Sequence, residues 1–469
     1  MPSHSDGPPK TSALTSPHLW KITSVAVLGA FLAQMDATVV NVSLTSLAGE
    51  LHGSLATIQW VTSGYLLALA LTLPLNGWLV DRIGARAVYL WCFSAFTLTS
   101  ALCGLAWSPD SLIGFRILQG MSGGLLAPMA QLLMARAAGE RMTSVLGFAA
   151  MPVLLAPLLG PVIAGAILHI LSWRWLFLVN LPFCALALVL AFIFLPNDEH
   201  ERKERRLDMV GLALLSPGVA CFLYGIDRVR EMQGIAALIV SLVSFLLFYA
   251  WANRKADQAI IDIRLFRDRI FSAAVTVQFI AQGASFAGQF LIPALLIDNK
   301  HYSPSQAGLL LGAQGLGMMC SYPLLGLLVQ KWGNRMVSVG GAVTALAGTA
   351  PFVYLAGHEL PGATIASILF VRGVGLSFIG IPSISAAYAS IGRENLPMAT
   401  TALNIIMRIG GPTLTTICAT FLAWSMSSGP STSSSTAYGN TFALLCCFQL
   451  ILCVAASRLP VRVPPKASP

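Results

Sequence analysis

The stretch GWLVDRIGARAVYL (77–90) recurs as GLLVQKWGNRMVSV (326–339). In each copy two apolar runs precede the motif, and it fills the loop that leads to a third. One such loop would read as a short charged connector. Two at the same relative place indicate a chain built from two like halves. Gly77 and Gly84 permit a close helix approach and a tight turn, Asp81 can meet a helix N-terminus, and Arg82 and Arg86 are placed for lipid phosphates or an acid. The second copy carries Gln330 where the first has Asp81, so a latch that needs the acid is stronger in the first half. Two further echoes follow. FRILQGMSGGLLAP (115–128) is answered by VRGVGLSFIGIP (371–382), and Gly160-Pro161 by Gly411-Pro412.

The solvent for these halves follows from composition. Of 469 residues, 56% are hydrophobic and only 10% charged, where a soluble domain carries about 25% charged residues. The chain therefore reads as an all-α integral membrane protein. Apolar runs near 22–47, 56–80, 86–107, 110–135, 143–170, 174–195, 207–227, 233–253, 270–298, 305–330, 336–357, 361–391, 398–424 and 438–458 make fourteen spans. Each is long enough for a bilayer core of about 30 Å. The expected layout is a disordered tail (1–20), a six-helix bundle (21–196), a cytoplasmic link (197–206), a two-helix insert without a repeat partner (207–254), a second six-helix bundle (255–460) and a tail (461–469). The nine cysteines all fall in apolar runs and read as small core hydrophobes, without disulfide or zinc spacing.

The basic residues set the orientation. With the N-terminus inside, 21 of the 28 Lys and Arg lie on the cytoplasmic side and only Arg174, Arg228, Arg230 and Lys300 outside. This bias places both termini in the cytoplasm. The net charge of +9 then faces anionic lipid, and nucleic acid is not needed to explain it. The remaining three, Arg116, Arg372 and Arg408, fall inside spans.

Polar groups at membrane depth are the functional candidates. A carboxylate at a helix centre costs about 2.5–3.5 kcal/mol on insertion scales, yet Asp36 stands in the middle of the first span. One reading is a permanent buried ion pair with Arg116. The other is a proton carrier whose affinity alternates as water and Arg116 approach or withdraw. Arg372 can sit near a span end and snorkel. Arg408 can neutralise an anionic substrate, hold a gate or pair with backbone carbonyls. Gln34, Asn41, Gln59, Gln119, Gln278, Gln282, Gln289, Gln314 and Asn404 are amides within spans, singly readable as helix–helix glue. Gln278, Gln282 and Gln289, spaced by four and seven, share one face of the first helix in the second half. Its counterpart carries Gln34, Asp36 and Asn41. Polar stripes on both helices point to one shared cavity, with Trp60, Tyr65 and Met151 as apolar walls.

These residues together resemble the major facilitator superfamily, and more closely its fourteen-span drug:proton antiporter family, over roughly residues 20–460. MDATVVNVSL (35–44) is similar to the family's first-helix motif at Asp36, Thr38 and Asn41. GWLVDRIGARAV carries the loop motif at Gly77, Asp81, Arg82, Gly84 and Arg86. FRILQGMSGG carries the fourth-helix motif at Arg116, Gln119 and Gly120. APLLGPVIAG (156–165) resembles the antiporter motif at Gly160, Pro161 and Gly165, with Ala156 and Ala164 where glycines are usual, which implies altered bending of that helix. SWRWLFLVNLP (172–182) matches the entry to the sixth helix. The resemblance implies the major facilitator fold: two six-helix bundles plus two extra helices.

It further implies a bacterial inner-membrane secondary transporter that exports small amphipathic compounds or drugs by alternating access, with Asp36 and Arg116 in proton coupling. The alternatives are export of an anionic metabolite or metal chelate, or a non-transporting membrane sensor. No enzyme is expected, since nucleotide loop, HExxH, GxSxG and Cys/His ligand pairs are missing from the sequence. The expected partners are a small-molecule substrate, protons and membrane lipid, with no metal and no cofactor besides the coupling proton. A monomer is expected, with a periplasmic adaptor left open.

Overall fold

The computed structural model describes residues 17–138, 141–197, 206–255, 258–427 and 434–461. The tails and the link (198–205) thus fall largely outside the described residues, as do the side chains of Asn41 and Pro161. Among the described residues the chain is helical throughout. The first half comprises α1 (Pro17–Glu50), α2 (Leu55–Thr72), α3 (Leu75–Ile83), α4 (Ala85–Gly104), α5 (Pro109–Ala138), α6 (Met142–Ile170), α7 (Trp175–Leu178) and α8 (Asn180–Phe194). An insert of α9 (Met209–Asp227) and α10 (Met232–Lys255) follows. The second half comprises α11 (Arg269–Ala294), α12 (Pro304–Ser321), α13 (Leu325–Thr349), α14 (Pro351–Leu355), α15 (Gly362–Ser390), α16 (Leu396–Ser427) and α17 (Ser434–Ser457). The first helix starts at Pro17, inside the stretch expected as a tail, and proline is well suited to a helix's first turn.

Among the described residues, eleven helical runs are long and apolar enough to cross a membrane, and twelve if the bent pair α2–α3 is one crossing. The α6 helix, 29 residues long, matches a further expected span. The run Ser305–Leu355 has 51 residues, about 76 Å of helix, which is more than twice the ~30 Å apolar core. It holds two of the expected spans, broken at Gly333 (φ 81°, ψ 164°).

The breaks repeat between halves. Pro74 marks the 56° bend between α2 and α3, and Pro323 lies in the single 3-10 turn between α12 and α13. Proline removes a backbone donor and crowds the preceding turn, so each helix breaks there. Gly84 (φ 94°, ψ 156°) and Gly333 then turn the chain in a region open essentially to glycine alone. The packing repeats as well. α1 packs on α5, α6 and α8, as α11 packs on α15, α16 and α17. α2 packs on α5 and α12 on α15, while α4 packs on α5 and α8 as α13 does on α15 and α17.

The halves meet near the two loop motifs. Gly77 on α3 faces Pro397 and Met398 of α16, and a Cβ there would stand 3.5 Å from the α16 backbone. The matching Gly326 on α13 lies against Ser144 of α6, with no room for a side chain. Each motif glycine thus packs on the fifth span of the other half. Hydrogen bonds reinforce the seam: Asn76 Nδ2 donates to Thr401 Oγ1 at 3.2 Å. Gln131 Oε1 accepts from Tyr388 Oη and Asn404 Nδ2, both at 2.9 Å. The halves are closed together at the motif end.

The insert packs by α9 against α2 and α16. Asp208 ties it down, accepting from Gly211 N (2.9 Å), Trp251 Nε1 (2.9 Å) and Ile260 N (3.1 Å). Arg228 pairs with Glu231 at 3.6 Å across the turn between α9 and α10. Arg86 binds the Phe192 carbonyl (2.7 Å) and Asn197 Oδ1, joining α4 to the end of α8. Arg82 is exposed and Asp81 half-buried.

Gly84→Ala and Gly333→Ala should each destabilise the protein by about 1–3 kcal/mol, because alanine is strained at those angles. Gly165→Ala, where nothing lies within 4 Å of the added methyl, should not. Thermal unfolding of the purified variants measures the difference.

Candidate functional site

Membrane helices bury ionic groups only where neighbours replace water, and the first half does this around Asp36. The residue projects from the middle of α1 and is 1% exposed, while Arg116 on α5 is fully buried. Arg116 Nη1 donates to Asp36 Oδ2 at 2.6 Å and to Gln119 Oε1 at 2.8 Å, and Nε donates to the Val61 carbonyl at 3.3 Å. On the other side of the carboxylate, Oδ1 accepts from Asn180 Nδ2 at 3.0 Å and Gln119 Nε2 at 3.3 Å. Four helices therefore meet at one ion pair: α1, α5 and α8 at the carboxylate, and α2 at the guanidinium. Tyr65 stacks under the guanidinium, 4.1 Å from ring centroid to Cζ, and Phe177 lies 5.6 Å away on the same terms.

The node is tightly enclosed but not fully satisfied. Arg116 Nη2, Asn180 Oδ1 and Tyr65 Oη are buried without a hydrogen-bond partner. An unpaired donor and an unpaired acceptor beside one carboxylate leave capacity for a second hydrogen-bond pattern. The α1–α6 contact behind it depends on Gly160, where a Cβ would overlap Thr38.

The second half holds an arginine in the corresponding place without an acid. Arg372 on α15 is fully buried, so the expectation of a snorkelling residue near a span end is wrong. Its charge stays inside because neutral acceptors surround it. Nη2 donates to the Ala284 carbonyl at 3.0 Å, Nε to Thr349 Oγ1 at 3.2 Å, and Nη1 to Gln314 Oε1. Gln449 Nε2 supports Thr349 at 2.9 Å. FLAQMD (31–36) and FIAQGA (279–284) correspond along α1 and α11, which sets Ala284 opposite Asp36. The bond to a backbone carbonyl thus stands in for the carboxylate.

The other expected cavity residues divide. Gln278 and Gln282 line a cavity of about 220 Å³ together with Ser285, Met318, Tyr322 and Met407. Within it Gln278 Nε2 also donates to Ser383 Oγ at 2.7 Å, holding α11 to α15. Gln289 is exposed and donates to Ser285 Oγ at 3.4 Å. Gln34 and Gln59 are exposed, as is Trp60, and Met151 is half-buried on α6. Four expectations are corrected. Gln119 belongs to the carboxylate node and Tyr65 is its buried floor; neither is a cavity wall. Gln314 serves Arg372, and Asn404 joins the inter-half seam through Gln131. In each case a buried amide or ring has found a partner in the protein, as buried polar groups do. Arg408 on α16 is half-buried and makes no hydrogen bond or ion pair among the described residues.

Asn180, Gln131, Asn76 and Gln449 carry contacts that sequence reading did not assign. All are amides within or beside apolar runs, the signal that marked the others.

A family model described as Major Facilitator Superfamily matches residues 26–412 and 274–469. The Multidrug resistance protein B homolog of Mycobacterium tuberculosis is 31% identical over 414 residues, 87% of this chain and 76% of that protein. The Multidrug export protein EmrB of Escherichia coli is 28% identical over 410 residues, 85% of this chain and 79% of the relative. Among solved structures, the proton:xylose symporter XylE matches with a TM-score of 0.61 at 15% identity, covering 93% of this chain and 96% of that one. At that identity the likeness speaks for the fold alone.

Arg116→Leu should destabilise the protein by about 3–5 kcal/mol, because it leaves the Asp36 carboxylate buried without its counter-charge. Adding Asp36→Asn to that variant should restore most of the loss. Chemical or thermal unfolding of the single and double variants gives the comparison.

Proposed function

The chain belongs to the Major Facilitator Superfamily, and from that premise we propose a proton-coupled exporter of small amphipathic compounds, drugs included, working by alternating access. The observation that carries the coupling is the enclosed Asp36 node, where the only mid-helix acid among the described residues faces Arg116, Gln119 and Asn180. The multidrug resistance and export names of the relatives support the substrate class. Their bacterial origin and the basic bias of the loops support a bacterial inner membrane with both termini in the cytoplasm. The protein acts as a monomer in lipid, with no cofactor besides the coupling proton and no enzymatic step.

The chemistry rests on two hydrogen-bond patterns. With the carboxylate ionised, Arg116, Gln119 and Asn180 all donate to it. Protonation turns one carboxyl oxygen into a donor. Asn180 then presents its free Oδ1 by rotating its amide, and Arg116 loosens from Asp36 toward Gln119 and Val61. The ionised pattern ties α1 to α5 and α8, and the protonated one frees α1 against them. Closure at the motif end is held by Gly77, Gly326 and the Gln131 amide. By loop charge that end is cytoplasmic, so the closed seam corresponds to an outward-facing state. The membrane potential contributes about 2.3 kcal/mol per charge per 100 mV to the cycle.

In proteoliposomes, Asp36→Asn should abolish the response of export to an imposed pH gradient while elution and unfolding profiles stay near those of the parent. Full gradient-driven export by that variant would sink the assignment of Asp36.

A further inference from the structure

The three intramembrane arginines differ in what holds them. Arg116 and Arg372 are fully buried, and each is bound by groups of its own half. Arg408 is half-buried and lacks both hydrogen bond and ion pair among the described residues. Its position on α16 explains the difference. Thr401, Asn404 and Arg408 fall at i, i+3 and i+7, on one helix face. The first reaches Asn76 and the second Gln131, both in the first half. Arg408 continues that face about 6 Å beyond Asn404 along the axis. Its sequence neighbour Met407 lines the 220 Å³ cavity.

Among the described residues no carboxylate pairs with Arg408. Asp36 is taken up by Arg116. Asp208 and Asp268 cap helices, and Asp262 stands in a connector beside Arg264. The cavity that Met407 lines is walled by apolar, amide and hydroxyl side chains, among them Met318, Leu376, Gln278, Gln282 and Ser285. A half-buried guanidinium with five donors and no hydrogen-bonded acceptor among the described residues favours a planar anion that accepts two bonds. The apolar wall favours an aromatic or aliphatic body behind that group.

We propose that the cavity between the halves recognises amphipathic organic anions, and that Arg408 binds their carboxylate. The proposal rests on the transport reading and narrows its substrate class. Substrate meets Arg408 while its hydrophobic part lies along Met407 and the α11–α15 wall. Asp36 carries the proton elsewhere, inside the first bundle, so recognition and coupling occupy separate residues.

The test uses two probes with the same ring and opposite charge, 1-naphthaleneacetate and 1-naphthylmethylammonium. Equilibrium binding is measured on the full chain in lipid nanodiscs at one pH, without a gradient. Parent protein should bind the acid more tightly than the amine. Arg408→Gln should weaken the acid by about tenfold or more, the size of a lost charge-assisted bond, without weakening the amine. Arg408→Lys, which keeps the charge and loses the fork, should fall between the two. A parent that prefers the amine overturns the proposal whether or not Arg408→Gln folds. So does an Arg408→Gln protein that elutes normally and keeps full acid affinity. Because no gradient is present, failure of Asp36 coupling in proteoliposomes would not alter this result, and failure here would leave gradient-driven export standing.

Discussion

A carboxylate buried in a membrane helix needs hydrogen-bond partners from its neighbours, and here the Asp36–Arg116 pair ties four helices together. Arg116 brings α5, Asn180 brings α8, and the Val61 carbonyl brings α2 to the same point. Desolvation of such a pair offsets most of its attraction, so it adds little net stability. What it adds is geometry: breaking it exposes an unpaired charge, so the bundle keeps these helices in register. The same property makes the node responsive to a proton. One added proton changes which groups donate and which accept, without moving any charge through the lipid-facing surface.

The second half shows what the fold demands and what the chemistry adds. Pro323, Gly326 and Gly333 reproduce the bend, the close approach and the turn of Pro74, Gly77 and Gly84. Arg372 reproduces the buried arginine. The acid is missing, and Ala284 offers its carbonyl where Asp36 offers a carboxylate. Two matched frames therefore carry unmatched sites: a titratable node in one bundle and a fixed, neutral-lined arginine in the other. The seam between them is symmetric in its glycines and asymmetric in its hydrogen bonds, since Gln131 alone collects both Tyr388 and Asn404.

Much of this was legible before any coordinates. Helix periodicity is enforced by lipid, so apolar run length located the spans, and the repeated loop located the halves. The Asp36–Arg116 partnership was readable because two opposite charges in one bundle have few other places to go. Less legible was which face each amide presents. Gln119, Gln314 and Asn404 look alike in sequence, yet one holds a carboxylate, one an arginine and one the seam. Their roles depend on helix rotation of some tens of degrees, which spacing alone does not fix. Asn180 escaped for a related reason: it starts α8 beyond a break, where the period of the preceding run gives no phase. Arg372 read as a snorkelling residue because its acceptors, Thr349, Gln314 and the Ala284 carbonyl, are neutral.

The central claim is that Asp36 takes up and releases the proton inside the first bundle. Infrared difference spectroscopy of the protein in lipid reads this directly, through the C=O band of a protonated carboxyl as pH is cycled. The parent should show such a band appearing and disappearing reversibly, and Asp36→Asn should lack it. The same band surviving in Asp36→Asn, or a parent with no titrating carboxyl in the membrane interior, would contradict the claim.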